Sequence, residues 1–267
     1  CVFRMPRGES IVLPRSFCPA CRRQIAWYDN VPLLSYLVLR GRCRACGARI
    51  SPRYPLVELT TGILFLAVHL FVLLSRNRLF QETRTAVLLP LHLIPFLWYF
   101  ASSLFALALI DWEHYILPDR LTYPLLGVGL LLAALIPDHF ALFQWSRPGP
   151  WDLWPSLLHS ILGAAAGSLS LYLVAVLGKA ALKKDAMGMG DVKLMAAVGA
   201  WLGWPMALLS IFLGASVAAV VGLGLILARR ARWGARIPFG PYLALGSLLC
   251  LFWGRAIMAW YLGWYIK

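Results

Sequence analysis

Two aspartates sit where an apolar chain has least reason to keep a charge. Asp111 follows the uncharged run that ends at Ile110 and opens the stretch Asp111-Trp112-Glu113-His114-Tyr115-Ile116-Leu117-Pro118-Asp119. Asp191 closes Gly188-Met189-Gly190-Asp191, with Lys193 two residues on, immediately before another apolar run. Two carboxyls held close in a low-dielectric site cannot both ionise, so they share a proton at neutral pH. One then acts as general base on a water while the other, protonated, polarises a carbonyl, which is the chemistry of an aspartic hydrolase. An ion pathway could use the same acids. Gly188 and Gly190 let the backbone come close to a substrate strand, and Lys193 is placed to hold an acid's charge or a phosphate headgroup. As plain helix ends the two acids differ: the dipole favours Asp191 at an N-terminus and opposes Asp111 at a C-terminus. That asymmetry favours a functional role.

The elements that must position these acids are read from composition. The 267 residues are 61% hydrophobic and only 13% charged, with a mean hydropathy of +0.73, which excludes an ordinary soluble domain. A bilayer-spanning helix needs ~20 mostly apolar residues, because its backbone must satisfy its own hydrogen bonds in hydrocarbon. Runs of that kind lie near 56–75, 87–110, 121–136, 157–178, 205–228 and 240–262, and a shorter one from Leu194 to Leu202 ends in an expected tight turn at Gly203-Trp204-Pro205. The fold class expected is an all-α polytopic membrane protein with about seven transmembrane helices. Cys1-Val2-Phe3-Arg4 reads as the tail of a further apolar segment, so an upstream eighth helix is expected. A β-barrel would show ~10-residue segments of alternating pattern, and none is seen.

The formal net charge of +14 marks orientation more than a nucleic-acid partner. Alternating the spans places 19 of the 25 Lys and Arg residues on one side: ten in residues 1–53, then Arg120, the Lys179 to Lys193 group and the Arg229 to Arg236 group. By the positive-inside rule that side is cytoplasmic, and the same charges attract anionic headgroups. Both Asp111 and Asp191 fall at this face, so helix ends far apart in sequence can converge there. The cluster Arg76, Arg78 and Arg84 is the exception to the pattern.

Cys18-Pro19-Ala20-Cys21 and Cys43-Arg44-Ala45-Cys46 are two CxxC knuckles on the same side. Each knuckle turns two thiolates toward one cation, and two of them complete the S₄ shell that zinc prefers. Disulfides are the alternative, but thiols on the cytosolic side stay reduced. Four ligands leave no open position, so such a zinc would fold the loop without catalysing. The expected division is a zinc-binding loop domain over 1–53 and a polytopic membrane domain over 54–267. Between the knuckles, the apolar stretch Leu33 to Leu39 is too short to span and is expected to pack on the ribbon or lie on the headgroups.

Taken jointly these motifs resemble the prepilin peptidases, the type IV prepilin leader peptidases and N-methyltransferases. The resemblance is carried by Phe3-Arg4-Met5-Pro6-Arg7-Gly8-Glu9-Ser10, Pro14-Arg15-Ser16, both knuckles, Tyr54-Pro55-Leu56-Val57-Glu58, Asp111 to Asp119 and Gly188 to Lys193. The GxGD element alone is weak, since presenilin-like proteases share it. The resemblance implies a membrane aspartic endopeptidase of the bacterial inner membrane that removes the basic leader of prepilins and pseudopilins after glycine, on the cytosolic side. It places the catalytic pair on Asp111 and Asp191, with Gly188, Gly190, Lys193 and Asp119 supporting, and Cys18, Cys21, Cys43 and Cys46 on zinc. It also implies methylation of the new N-terminus with S-adenosylmethionine, in the service of type IV pili or type II secretion. The stretch 137–155 is longer than the family's usual connection and faces away from the cytosol.

Glu58 lies in the first apolar run and is a candidate for the methyltransferase function or for a structural pair with an arginine such as Arg53. His69, His92 and His159 lack metal spacing and read as packing or interhelical hydrogen bonds. Gly163 to Ser168 is a small-residue surface for close helix approach. The alternatives in function are a cation transporter or channel whose rim acids bind ions and whose ribbon regulates it, and a scaffold that recruits a partner through the ribbon.

Overall fold

The computed structural model describes residues 4–5, 16–83, 91–136, 153–183, 187–230 and 237–265. Cys1, most of the arginine-rich opening and the connection 137–152 lie outside them. The order is a four-residue 3₁₀ turn Trp27–Asn30, then α1 Leu34–Val38, α2 Arg53–Thr83, α3 Ile94–His114, α4 Asp119–Leu135, α5 Leu153–Leu182, α6 Met189–Leu202, α7 Trp204–Leu227 and α8 Gly240–Tyr265. Among the described residues there is no β-strand; two isolated bridges, Phe17 to Gln24 and Arg42 to Arg49, close the two knuckles.

Seven helices, α2 to α8, occupy the seven apolar runs. Five are long and apolar enough to cross a membrane: Arg53–Ser75, Leu91–His114, Ser156–Ala181, Trp204–Leu227 and Gly240–Tyr261. The other two, α4 and α6, have 17 and 14 residues. The short α6 is the hub. It packs against α4, α5, α7 and α8, and every residue from Ala197 to Leu202 is buried. Neighbours on all sides explain why its sequence is apolar all round instead of amphipathic. The long α2 is the opposite case: it packs on α3 alone among the larger contacts and turns most of its apolar surface outward, as a lipid-facing helix does.

Small residues set the spacing around α6. Gly163 and Gly167 of α5 lie against the backbone of Gly199 and Met195, so close that a methyl on any of these three glycines would meet a carbonyl. Without a hydrophobic drive between helices in lipid, such contact is what holds them. Polar side chains then cross-tie the bundle through backbone carbonyls. The Trp201 indole N–H donates to Leu125 O at 2.7 Å, Ser160 Oγ to Ala200 O at 2.7 Å, Ser156 Oγ to Ala133 O at 2.8 Å and the Trp98 indole to Phe65 O at 2.9 Å. Trp201 also stacks on Phe100 with ring centroids 4.9 Å apart. The turn from α6 to α7 runs through Gly203 at φ 80°, with Pro205 in the first turn of α7, as the sequence predicts.

Candidate active site

Helix α3 runs on to His114 and ends where Tyr115 takes a left-handed conformation. Asp111 therefore occupies its last turn. Asp191 occupies the first turn of α6, which Gly188 caps in extended conformation. The two side chains come from positions 80 residues apart in sequence and line one cavity of about 300 Å³, with Tyr115, Ile116, Leu117, Asp119, Gly188, Met189, Gly190 and Lys193. Asp111 is 6% exposed and Asp191 8%, so both carboxyls of the cavity are largely withdrawn from bulk water.

The objection that a helix C-terminus repels Asp111 is answered by another helix. Gly240, first residue of α8, donates its backbone N–H to Asp111 Oδ2 at 3.0 Å. The positive end of the α8 dipole thus faces Asp111, while Asp191 sits at the positive end of its own helix. Both acids are held at helix N-termini. The approach is so close that a Cβ on Gly240 would stand 2.7 Å from Asp111 Oδ2. Gly240 is absent from the site expected from sequence, and its signal there is Pro238-Phe239-Gly240-Pro241, a proline-flanked glycine that opens the last apolar run.

The supporting residues are placed as follows. Lys193 donates to both Asp119 oxygens, at 2.8 and 2.9 Å, and lies 5.2 Å from the Tyr123 ring centroid. Its charge is therefore spent on Asp119, tying the start of α6 to the start of α4 at the edge of the cavity. Gly190 packs on Leu117, whose Cβ would be 3.0 Å from a side chain at that position. Glu113 pairs with Arg53 at the start of α2. Glu58 then has a different partner from the Arg53 considered above: its Oε2 accepts the Leu33 N–H at 2.9 Å, joining the ribbon to the first long helix.

The cysteine tetrad is assembled. The Sγ atoms of Cys18, Cys21, Cys43 and Cys46 all lie within 4.8 Å of one another, and Cys18 Sγ is 3.8 Å from Cys46 Sγ. A tetrahedron of sulfurs at ~2.3 Å from zinc has an edge of ~3.8 Å, so the donor set fits that ion. Backbone N–H groups of Cys21 and Ala20 draw the Cys18 thiol pKa down to about 7, whereas Cys46, against the pull of the Ala48 N–H, is pushed up to about 11 by desolvation and its three thiol neighbours. Among the described residues no other cluster has this character.

A helical bundle with long apolar helices, a knuckle of four cysteines and two buried carboxyls on one cavity defines a polytopic membrane protein with a paired-acid site. Residues 1–72 match the family described as Bacterial Peptidase A24 N-terminal domain, and residues 98–223 match the Type IV leader peptidase family. The chain is 41% identical over 253 residues to a prepilin leader peptidase/N-methyltransferase of Aeromonas hydrophila, covering 95% of this chain and 76% of the relative. It is 40% identical over 255 residues to the protein of that name in Pseudomonas aeruginosa, with the same coverage, and 34% identical over 257 residues to that of Legionella pneumophila, covering 96% and 78%. The chain belongs to the type IV leader peptidase family and is a bacterial membrane protein. No solved structure gives a significant match.

Proposed function

We propose that this protein is an aspartic endopeptidase of the bacterial inner membrane. It removes the basic leader of type IV prepilins or pseudopilins after glycine, at the cytosolic face, and methylates the new N-terminus with S-adenosylmethionine as methyl donor. The observation that carries the peptidase reading is the meeting of Asp111 and Asp191 on one cavity wall, each at a helix N-terminus.

The chemistry follows from sharing one proton between two carboxyls. The ionised carboxylate takes a proton from a water, whose oxygen attacks the scissile carbonyl carbon, while the protonated partner donates to the carbonyl oxygen. Collapse of the resulting gem-diol breaks the C–N bond: the amine leaves with the proton the base had taken, and one hydroxyl of the diol returns its proton to the partner carboxyl. The Gly240 N–H fixes the orientation of Asp111 through this cycle, and Lys193 with Asp119 holds α6 and α4 together at the cavity edge. Residues 1–53 act as the zinc-binding domain, with Cys18, Cys21, Cys43 and Cys46 as ligands to a structural ion, and 54–267 as the membrane peptidase.

Asp111→Asn and Asp191→Asn each test the pair. Asparagine keeps the size and removes the proton exchange. Each variant is expected to lose cleavage of a prepilin-like substrate in membranes while keeping its helix content and thermal stability. Cleavage surviving in either variant would remove that aspartate from the mechanism.

A further inference from the structure

The zinc-knuckle domain carries an apolar face that the peptidase chemistry does not use. In α1, Leu34, Leu37 and Val38 stand at i, i+3 and i+4, one face of the helix. They are 58%, 71% and 66% exposed, and Trp27, in the 3₁₀ turn packed on α1, is 80% exposed. Their exposure is built in. Tyr36, on the other side of α1, turns into the ribbon, where its ring lies against Gly41 and its hydroxyl donates to Ile50 O at 3.4 Å. Ser35 Oγ donates to Tyr28 O and accepts the Val31 N–H, both at 3.1 Å, so the turn and α1 move as one piece.

Two further observations say what covers this face. The first is its level. The Leu33 N–H, at the start of α1, bonds to Glu58, five residues into a helix whose membrane-crossing stretch begins at Arg53. Five residues advance a helix by ~7.5 Å, and the headgroup layer on each side of the hydrocarbon is ~5–7 Å deep. With the charged Arg53 at the outer edge of the headgroups, the start of α1 lies near the boundary of headgroups and hydrocarbon beside α2, where Leu56, Leu59 and Ile63 also face outward. The second is charge. Residues 16–53 hold seven arginines against one acid, Asp29. Arg44 clasps Asp29 through two bonds of 2.6 and 2.7 Å and holds its carboxyl below the usual carboxylate range, so the remaining charge is positive. Arg40 and Arg42 follow the apolar face directly, both exposed, and neither meets an acid among the described residues.

We propose that this face is a lipid-docking surface: Trp27, Leu34, Leu37 and Val38 enter the interface of an anionic bilayer while Arg40 and Arg42 meet its phosphates. An aromatic at the interface with aliphatic neighbours and flanking arginines is the pattern of a peripheral anchor. The domain is thereby laid on the membrane beside α2 instead of projecting into the cytosol. None of these residues lines the cavity of Asp111 and Asp191, so the docking surface is tested separately from their role.

The test uses the whole chain in vesicles of phosphatidylcholine with phosphatidylglycerol, and in phosphatidylcholine alone. Subtracting the fluorescence of Trp27→Phe isolates the Trp27 signal. Lipids brominated near the top of the acyl chain are expected to quench that signal in the mixed vesicles, and aqueous acrylamide to leave it largely untouched. Leu37→Gln with Val38→Gln should reverse both responses, at unchanged helix content since both side chains are exposed. Arg40→Gln with Arg42→Gln should weaken quenching by brominated lipid in the mixed vesicles only. Full quenching by acrylamide with none by brominated lipid would overturn the proposal, as would shielding that arises only when a prepilin-like peptide is added, which would make the face a protein site.

Discussion

Replacing Gly240 with alanine would place a methyl group 2.7 Å from Asp111 Oδ2 and 3.1 Å from its Cγ. Non-bonded heavy atoms settle at ~3.5 Å or more, so either the carboxyl or the start of α8 must yield by roughly 0.8 Å. Either movement breaks or stretches the 3.0 Å bond from the Gly240 N–H. A hydrogen bond to a charged group is worth about 1.5–3 kcal/mol, and a displacement of ~1 Å at a reacting group costs ~10²-fold in rate. Gly240→Ala should therefore lower kcat by roughly 10- to 100-fold, with KM little changed because Gly240 does not line the cavity. The assay is the initial rate of leader removal from a prepilin-like substrate, run beside a thermal melt of the same preparation. Gly224→Ala is the internal control, since a side chain there meets nothing within 4 Å, and it should cleave at the unmodified rate. A Gly240→Ala variant as fast as the unmodified chain would refute the placement of Asp111 against the end of α8.

Metal analysis of the purified chain should find one zinc, lost in Cys18→Ser; a chain with an intact tetrad and no zinc would contradict the S₄ assignment. Trp201→Ala removes the stack on Phe100 and the tie to Leu125, and should destabilise by about 3 kcal/mol or more in a thermal or denaturant melt, with Trp201→Phe losing only part of that. Lys193→Met removes no hydrogen-bond partner of Asp111 or Asp191 and breaks a half-exposed pair with Asp119 worth ~0–1 kcal/mol, so cleavage should change only a few-fold; complete loss would assign Lys193 a direct part in the chemistry.

What the sequence shows and what it hides divides by range. Apolar runs announce α2 to α8 because a membrane helix must be apolar over its own length, and the knuckle spacing announces the tetrad because both pairs are local. The convergence of Asp111 and Asp191 is legible too, since alternation of spans puts both at one face. Contacts between distant elements are not. Gly240 bonds to an acid 129 residues away, and its local pattern reads only as a helix start. Lys193 finds Asp119 across 74 residues, where proximity in sequence points to Asp191. Glu58 finds a backbone N–H in place of an arginine, because Arg53 is drawn off by Glu113. The glycines of 163–168 announce a close helix contact without naming α6 as the partner, and that partner becomes evident only when the short helix is seen enclosed by its neighbours.

The joint action of Asp111 and Asp191 on a peptide bond is tested most directly by cleavage in ¹⁸O-labelled water followed by mass spectrometry of the released leader. Activation of water by the pair requires that the leader carry one heavy oxygen on its new carboxylate, and that neither Asp111→Asn nor Asp191→Asn release any. An unlabelled leader, or labelled leader still produced by either variant, would contradict it.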